Sequence, residues 1–139
     1  MSELCIFCKI VRWESPASVV YEDKEVLAFM DIRPVSEGHT LVIPKQHYQN
    51  IFDIPLELLT TTHQVTQKIV RAVQKVANAD GITIVQQNGA AAGQDIFHFH
   101  IHIIPRFYGK KPPKFRELAP VDRETLNKVA QKIKQQLEK

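Results

Sequence analysis

The chain of 139 residues lacks any long hydrophobic run. A helix that crosses a bilayer needs about 20 consecutive apolar residues, so the sequence predicts no membrane span and no membrane partner. The first residues, Met1 to Cys5, are not a basic region followed by an apolar one, so no signal peptide is predicted. These two absences predict a cytoplasmic protein.

Strong charge and abundant cysteine are also missing. The formal net charge is only +3, which is too weak by itself to indicate nucleic-acid binding. In a reducing compartment, two cysteines are more often thiols or metal ligands than a structural disulfide. No repeat or linker interrupts the chain, and its length predicts one domain over residues 1–139.

Three histidines alternate with bulky apolar residues between His98 and Ile104, which is the period of a β-strand. Imidazoles two residues apart project about 7 Å apart along one face of a strand. Two of them can reach one metal ion or one phosphate group, whereas three in one tetrahedral shell would be strained. The row therefore predicts separate tasks for the three histidines, the alternative being a strand with half-exposed histidines. The opposite face is expected to enter a core through Phe97, Phe99, Ile101 and Ile103.

Short apolar segments between turns predict an antiparallel sheet, and Cys5 to Trp13 predicts a short helix or turn. A long helix is predicted from about Pro55 to Asn78, with Asp53 as its N-cap and Gly81 ending it. A last helix is predicted from about residue 122. The result is an α+β fold with the helices on one face of a five-stranded sheet. The strands are expected at 19–21, 26–30, 39–43, 82–87 and 98–104.

Cys5 and Cys8 form a CxxC pair, which alone is a weak signal. A redox dithiol usually opens a helix after a buried strand, and no strand is predicted before this pair. Two thiolates supply half of a tetrahedral zinc site, and His47 and His98 would complete a closed Cys2His2 set. Such a site would be structural and would add folding free energy. The alternative is two apolar core thiols.

If His98 is a metal ligand, His100 is the next histidine on the same face and stays free. A neutral imidazole, with an ordinary pKa near 6.5, is available as a nucleophile at pH 7. The loop at 88–94 resembles a phosphate cradle, which predicts covalent catalysis at phosphorus by His100, with His102 donating to another phosphate oxygen. The alternative for the loop is an ordinary hairpin connection. Its glycines and amide donors are Asn88, Gly89, Gly93 and Gln94.

The row from His98 to Ile104 resembles the signature of the histidine triad (HIT) superfamily, His-φ-His-φ-His-φ-φ, where φ is an apolar residue. The resemblance extends from about Cys5 to Arg106 and leaves a tail and helix at 107–139 unmatched. The CxxC pair and the short length resemble bacterial members of the branch that contains the nucleoside phosphoramidate hydrolases. Other blocks in the family's order lie at 31–32, 38–45 with His47, and 88–94.

The resemblance implies a hydrolase or transferase that acts on a purine nucleotide or nucleotide conjugate of the AMP type. His100 would attack the α-phosphorus of a nucleoside 5′-phosphoryl substrate, which could be a phosphoramidate, an adenylated amine or a dinucleoside polyphosphate. Asp31 would bind the ribose hydroxyls, Ile32 would line the base pocket, and His39 would support the active-site strand. The phosphate contacts would come from His102, Asn88, Gly93 and Gln94. The family fold is usually paired as a homodimer.

The zinc-containing relatives, which include the galactose-1-phosphate uridylyltransferases, carry a metal set that matches Cys5, Cys8, His47 and His98. One residue departs from the pattern: Asp95 stands where phosphoramidate hydrolases commonly have serine. A solvated carboxylate beside a phosphate repels it by about 1 kcal/mol, so either only the N–H of Asp95 faces the phosphate or substrate choice differs.

Asp95 leaves open a second function, that of a purine-nucleotide-binding regulatory or scaffold protein with vestigial catalysis. A third, a zinc-dependent nucleic-acid binder, is disfavoured by the low net charge and by the lack of a recognition helix. Cations near the end of the histidine strand either attract an extended phosphate chain or acidic leaving group, or form a solvated loop. They are Arg106, Lys110, Lys111, Lys114 and Arg116.

Overall fold

The structure is a computed structural model that describes residues 4–111 and 118–139. Five strands form one antiparallel sheet in the order β1-β2-β3-β5-β4, which confirms the predicted α+β architecture. None of the helices in these residues combines the length and apolarity that crossing a membrane requires. The elements are α1 (Ile6–Val11), β1 (Val19–Glu22), β2 (Val26–Met30), β3 (Thr40–Pro44), α2 (Leu56–Ala77), β4 (Gly81–Val85), β5 (Ile101–Arg106) and α3 (Arg123–Leu137).

The central strands β2 and β3 are buried at every position, so both faces of the sheet must be covered. Alternate residues such as Val26 and Val42 pack on one face with α2 and α3. Their neighbours Leu27 and Ile43 pack on the other face, where α1 contributes Phe7 and Ile10. The prediction that the helices share one face is therefore wrong for α1, because apolar side chains emerge from both sides of β2 and β3.

Helix α2 buries the predicted stripe, including Leu58, Val65, Ile69 and Val73. Thr62 and Thr66 are buried in the same stripe and donate their hydroxyls to the carbonyls four residues earlier. Threonine is polar, so the apolar periodicity of the sequence does not predict the burial of these two residues. Helix α2 thus covers the sheet with a stripe that is apolar or internally hydrogen-bonded.

Both predicted ends of α2 need correction. Pro55 occupies the N-cap position, and the Asp53 carboxylate instead accepts from the backbone N–H groups of Gln49 and Asn50. At the other end Asn78 adopts the left-handed conformation that closes the helix, with φ 52° and ψ 46°. Gly81 begins β4 instead. The asparagine takes the role predicted for glycine, because its short side chain tolerates this conformation.

The C-terminal helix α3 begins as predicted. The Asp122 side chain accepts from the N–H of Thr125 at 3.0 Å, which caps the first turn. Leu126, Val129 and Ile133 are buried in the same core as α2 and the sheet. Helix α3 therefore covers the sheet beside β1.

The histidine strand is shorter than predicted. Only His102 lies within β5, whereas His98, Phe99 and His100 precede it. The chain leaves the sheet before Ile101 because the N–H of Phe99 bonds the carbonyl of Tyr48 at 2.7 Å, in the segment after β3. Phe99, Ile101 and Ile103 are fully buried as predicted, but Phe97 is 42% exposed, so the prediction that it is a core residue is wrong.

Candidate active site and metal cluster

The four predicted metal ligands converge between α1, the segment after β3 and the segment before β5. His98 Nδ1 lies 3.5 Å from Cys5 Sγ and 3.6 Å from Cys8 Sγ. His47 Nδ1 lies 3.3 Å from Cys8 Sγ and 3.2 Å from His98 Nδ1. A tetrahedral zinc ion separates its sulfur and nitrogen ligands by about 3.5 Å and two nitrogens by about 3.3 Å. The donor set therefore fits zinc.

A hydrogen bond decides which nitrogen of His98 faces this cluster. The Nε2 atom lies 2.8 Å from the carbonyl of Pro44, which can only accept, so Nε2 carries the hydrogen. Nδ1 then keeps its lone pair and points at the two cysteines. Burial lowers the pKa of His98 to about 4, so the ring is neutral at pH 7. This arrangement is the one that an imidazole needs to bind a metal ion.

The next histidine, His100, presents the opposite nitrogen. Its Nδ1 lies 2.7 Å from the carbonyl of His98, so Nδ1 carries the hydrogen and Nε2 keeps the lone pair. Burial lowers the pKa of His100 below its ordinary value, which the nearby Asp95 carboxylate partly opposes. Nε2 has no hydrogen-bond partner within residues 4–111 and 118–139. A neutral ring with a free lone pair is a competent nucleophile.

His102 and His39 form a chain of hydrogen bonds. The N–H of Val35 donates to His39 Nδ1 at 3.0 Å, so the hydrogen of a neutral His39 lies on Nε2. That Nε2 is 3.0 Å from His102 Nδ1, which must therefore accept and leave its own hydrogen on Nε2. Burial lowers the pKa of His39 to about 3 and that of His102 to about 4. His102 thus offers an N–H beside the lone pair of His100.

Asp31, His39 and His102 form a second group whose donor atoms lie within 4.8 Å of one another. This group differs from the cysteine cluster in the position of one hydrogen. The Val35 N–H donates to Nδ1 of His39, so the hydrogen of the neutral ring lies on Nε2, the atom that would face a metal ion. Asp31 Oδ2 lies 3.5 Å from the same Nε2. This group is therefore arranged as a hydrogen-bond network, and the fit to a metal ion is poor.

The predicted phosphate loop is held by its own amides. Gln94 is buried; its oxygen accepts from the N–H of Gly89, and its amide nitrogen donates to the carbonyls of Gln49 and Ile96. Asn88 Oδ1 accepts from the N–H of Ile51 at 2.8 Å. These bonds fix the shape of the loop, and phosphate contacts by the two amides stay a prediction.

The end of the loop leaves one backbone donor available. The N–H groups of Gly93 and Gln94 bond the carbonyls of Ala90 and Gly89, while that of Asp95 has no partner in the described residues. Gly93 has φ +91°, a conformation that L side chains rarely adopt, and a Cβ there would lie 2.6 Å from Gln87 Nε2. The loop therefore requires glycine at this position.

The predicted ribose and base residues flank the histidines at the end of β2. Burial raises the pKa of Asp31, and the negative charge of Asp95 adds to that shift. Asp31 Oδ1 accepts from the N–H of Arg33 at 2.9 Å. Ile32 is 47% exposed and accessible to a ligand. The structure thus brings Asp31, Asp95 and His102 into one neighbourhood.

Phe7 is the main residue at the site that the sequence analysis did not predict. Its ring lies edge-on to both His98 and His100, with centroids 5.8 Å and 5.2 Å away. A signal existed, because an apolar aromatic residue stands between the two cysteines. Helix α1 therefore connects the metal cluster to the ring of His100.

The cations after the histidine strand are only partly described. Arg106 Nε donates to the Thr83 hydroxyl at 3.1 Å, and Lys110 and Lys111 are exposed. Lys114 and Arg116 lie outside the described residues. The positive charge of Arg106 helps to lower the pKa of His39, after the larger effect of burial. That these cations attract an extended phosphate or acidic group stays a prediction.

Comparisons with known proteins agree with this geometry. A family profile described as the HIT domain matches residues 12–109. An uncharacterised HIT-like protein of Methanocaldococcus jannaschii is 46% identical over 94% of this chain and 99% of its own length. An adenosine 5′-monophosphoramidase of Saccharomyces cerevisiae is 40% identical over 73% of this chain and 62% of its own. An adenylylsulfatase of Arabidopsis thaliana is 45% identical over 73% of this chain and 52% of its own.

Two solved structures are close to this fold. A HIT-like protein of Bartonella henselae superposes with a TM-score of 0.90 and 43% identity, covering 98% of both chains. A zinc-bound histidine triad protein of Mycobacterium smegmatis superposes with a TM-score of 0.86 and 38% identity, covering 97% of this chain and 94% of that one.

Proposed function

This chain belongs to the HIT family, and on that premise we propose that it cleaves a nucleoside 5′-phosphoryl bond through a nucleotidyl intermediate on His100. The observation that carries the proposal is a pair of neighbouring neutral rings that both have Nε2 available, one as an acceptor or nucleophile and the other as a donor. His100 has a lone pair on Nε2, and His102 has a hydrogen on Nε2. An attacking nitrogen beside a donor to phosphate oxygen is what displacement at phosphorus needs. The names of the yeast and plant relatives support a hydrolase of nucleotide conjugates.

In the proposed reaction, His100 Nε2 attacks the α-phosphorus and forms a P–N bond. The bond from phosphorus to the leaving group breaks, and the leaving group takes that electron pair and one proton. Water then attacks the same phosphorus, the P–Nε2 bond breaks, and neutral imidazole returns. The proton released by water replaces the one consumed, so the products are a nucleoside monophosphate and the free leaving group.

The neighbouring residues would position the substrate. His39 would keep the hydrogen of His102 on Nε2, from where His102 would donate to a phosphate oxygen. Gly93 and the N–H of Asp95 would allow the phosphate to approach the backbone, with Asn88 and Gln94 holding the loop. Asp31 would accept hydrogen bonds from the ribose hydroxyls, and Ile32 would contact a purine base.

We also propose that Cys5, Cys8, His47 and His98 hold a structural zinc ion. The distances between their donor atoms support this, as does the zinc-bound relative from Mycobacterium smegmatis. A bound zinc ion would crosslink α1 to the sheet and leave no coordination position for substrate or water. The Pro44 carbonyl accepts from Nε2 of His98 and so orients this ring with Nδ1 toward the proposed zinc site.

For the whole chain we propose one domain and a homodimer. Helix α3 lies beyond the matched residues 12–109 but packs in the same core as α2. Strand β4 is an edge of the sheet and presents the exposed Ile84, beside a loop that exposes Ile51 and Phe52. Exposed apolar edges of this kind are commonly covered by a second copy. Light scattering coupled to size-exclusion chromatography measures the mass directly, and a homodimer should have twice the chain mass of 15.9 kDa.

A purine-nucleotide-binding protein with vestigial catalysis is the second candidate, and the Asp95 carboxylate favours it. Incubation with adenosine 5′-phosphoramidate separates the two. We expect AMP release by the unaltered protein, loss of at least a hundredfold in His100→Ala, and unchanged rates in His63→Ala, whose histidine is exposed on α2. AMP binding without turnover of this substrate or of the other proposed nucleotide conjugates would favour the binding protein.

A further inference from the structure

A cavity of about 420 Å³ opens beside the metal cluster, at the end of the phosphate loop. Two proposed zinc ligands, Cys5 and His47, form part of its wall, but none of the roles proposed above places a substrate group in this space. Its volume lies within the range of about 300–1,000 Å³ that small-molecule sites occupy. The residues around it include Leu4, Ile6, His47, Gln49, Asp95 and Phe97.

The lining of the cavity is mostly apolar with one carboxylate. Leu4, Ile6 and Phe97 are large apolar residues that remain 92%, 41% and 42% exposed. Asp95 supplies the negative charge at the boundary with the phosphate loop. Such a lining suits an apolar stem that carries a positive charge and disfavours an anion.

The cavity lies at one end of a row of histidine rings. From Asp31 the row passes through His39 and His102 to His100, with ring centroids 5.2 Å and then 4.9 Å apart. Beyond His100 come the Phe7 ring and the metal cluster, whose Cys5 and His47 border the cavity. The proposed nucleoside contacts, Asp31 and Ile32, occupy the opposite end of the row.

Asp95 joins the cavity to the histidines. It lines the cavity, and its negative charge also acts on His100, His102 and Asp31. With the nucleoside at Asp31 and Ile32, the leaving group of a phosphorus atom held over His100 would extend past Asp95 into the cavity that this residue lines. The bond that breaks would lie next to the Asp95 carboxylate.

We propose that this cavity receives the leaving group and that Asp95 selects amines with a second, positively charged nitrogen on an apolar stem. The proposal rests on the function proposed above and narrows its substrate class to nucleoside 5′-phosphoramidates of cationic amines. In the reaction the P–N bond breaks, and the departing nitrogen takes the electron pair and one proton. Dinucleoside polyphosphates would be poor substrates, because their leaving group is an anion.

Three adenosine 5′-phosphoramidates of matched length test the proposal. Their amines are butylamine, 1,4-diaminobutane and 4-aminobutanoate, which leave the far end of the stem neutral, cationic or anionic. We expect kcat/KM of the full chain to fall in the order cationic, neutral, anionic, with a cationic-to-anionic ratio of about ten. Asp95→Asn should bring that ratio close to one, and Glu57→Gln, which removes an exposed carboxylate on α2, should leave it unchanged.

A second variant tests the apolar part of the cavity. Phe97→Ala should reduce the preference for butylamine over methylamine as the leaving group, because it removes apolar lining while Asp95 remains. Equal kcat/KM for the three charges, or a ratio that survives Asp95→Asn, overturns the cavity proposal while the hydrolase stands. No AMP from any of these compounds, or from unsubstituted adenosine phosphoramidate, overturns the proposed function and the cavity proposal with it.

Discussion

At the scale of single residues, His98 belongs to two centres at once. Its Nδ1 faces the cysteines of the metal cluster, while its backbone carbonyl accepts from Nδ1 of His100 and leaves that ring's Nε2 available. The Nε2–H of His98 is used by the Pro44 carbonyl. His98 thus links the metal ligands to the proposed nucleophile. Its Nε2–H bond to Pro44 leaves Nδ1 for the metal, and its carbonyl leaves Nε2 of His100 for the substrate.

His39 predicts a pH dependence of stability. Its folded pKa of about 3 lies below the ordinary value of 6.5, so the unfolded chain takes up the proton first as the pH falls. The stabilisation by the neutral, buried ring is complete above pH 6.5 and declines between pH 6.5 and about 3, by about 1.4 kcal/mol per pH unit. Urea unfolding at pH 7.5, 6.0 and 5.0 measures this slope.

The matched variant for that measurement is His39→Gln, which keeps a polar side chain of similar size but does not titrate. Its free energy of unfolding should fall less steeply than that of the unaltered protein below pH 6.5. The exposed His63→Gln serves as the control and should retain the original slope. Parallel curves for His39→Gln and the unaltered protein contradict the assignment of His39 as a buried neutral ring.

At the scale of elements, the short helix α1 has only six residues but contacts both the metal cluster and the ring of His100. It is capped by Cys5, contributes Cys8 to the cluster, and packs Phe7 against Phe29 and the rings of His98 and His100. The position of α1 therefore depends on the metal ligands and in turn sets the packing around the proposed nucleophile. An effect of the cluster on catalysis is expected to pass through this helix.

Phe7→Ala is expected to lower both stability and turnover. A large-to-small change at a buried phenylalanine costs about 3–5 kcal/mol of unfolding free energy, and here it also removes the ring that packs against His100. Ile10→Ala, in the same core cluster, is the control, with about 2–5 kcal/mol of lost stability but a nearly unchanged kcat. Urea titration measures the stability of both variants, and kcat is measured at a temperature where both are folded. Equal losses of kcat in Phe7→Ala and Ile10→Ala would contradict the role given to Phe7.

Removal of the metal is expected to release α1. Protein purified without chelator should contain about one zinc per chain, and a strong chelator should lower the melting temperature by at least about 10 °C. The double variant Cys5→Ser with Cys8→Ser should contain no zinc and show no response to chelator. Less than about a tenth of an equivalent of zinc, with no thermal shift, would leave Cys5 and Cys8 as core thiols.

Local patterns predicted most elements but not how their ends are fixed. The cap at Asp122 follows from one short-range rule and is present, whereas the Asp53 carboxylate bonds amides earlier in the chain. The alternation around the histidines correctly predicted Phe99 and Ile101 as core residues, although His98 and His100 on the other side are buried as well. It did not predict where β5 begins, because that depends on the distant carbonyl of Tyr48.

The same distinction applies to the candidate site. Ligand chemistry was sufficient to group Cys5 and Cys8 with His47 and His98, since each donor suits zinc. The hydrogen positions on the histidines could not be predicted, because they depend on backbone partners such as Val35 and Pro44. Packing contacts such as that of Phe7 with His100 also required the three-dimensional structure.

At the scale of the whole molecule, the two faces of the sheet have different tasks. Helices α2 and α3 bury one face in the main core, whereas α1, the metal cluster and the histidine rings occupy the other. The long helices therefore support the sheet without entering the site. The chemistry proposed for the protein depends on one atom of the second face, Nε2 of His100.

The most direct test is the mass of the intact protein during turnover. Adenosine phosphoramidate is mixed with the protein, and the reaction is stopped within milliseconds at alkaline pH, where a bond between phosphorus and imidazole survives. We predict an added mass of one AMP unit that is present in the unaltered protein, absent from His100→Ala, and mapped to the peptide that contains His100. Steady AMP production without that added mass, or an adduct on any other residue, would contradict His100 as the nucleophile.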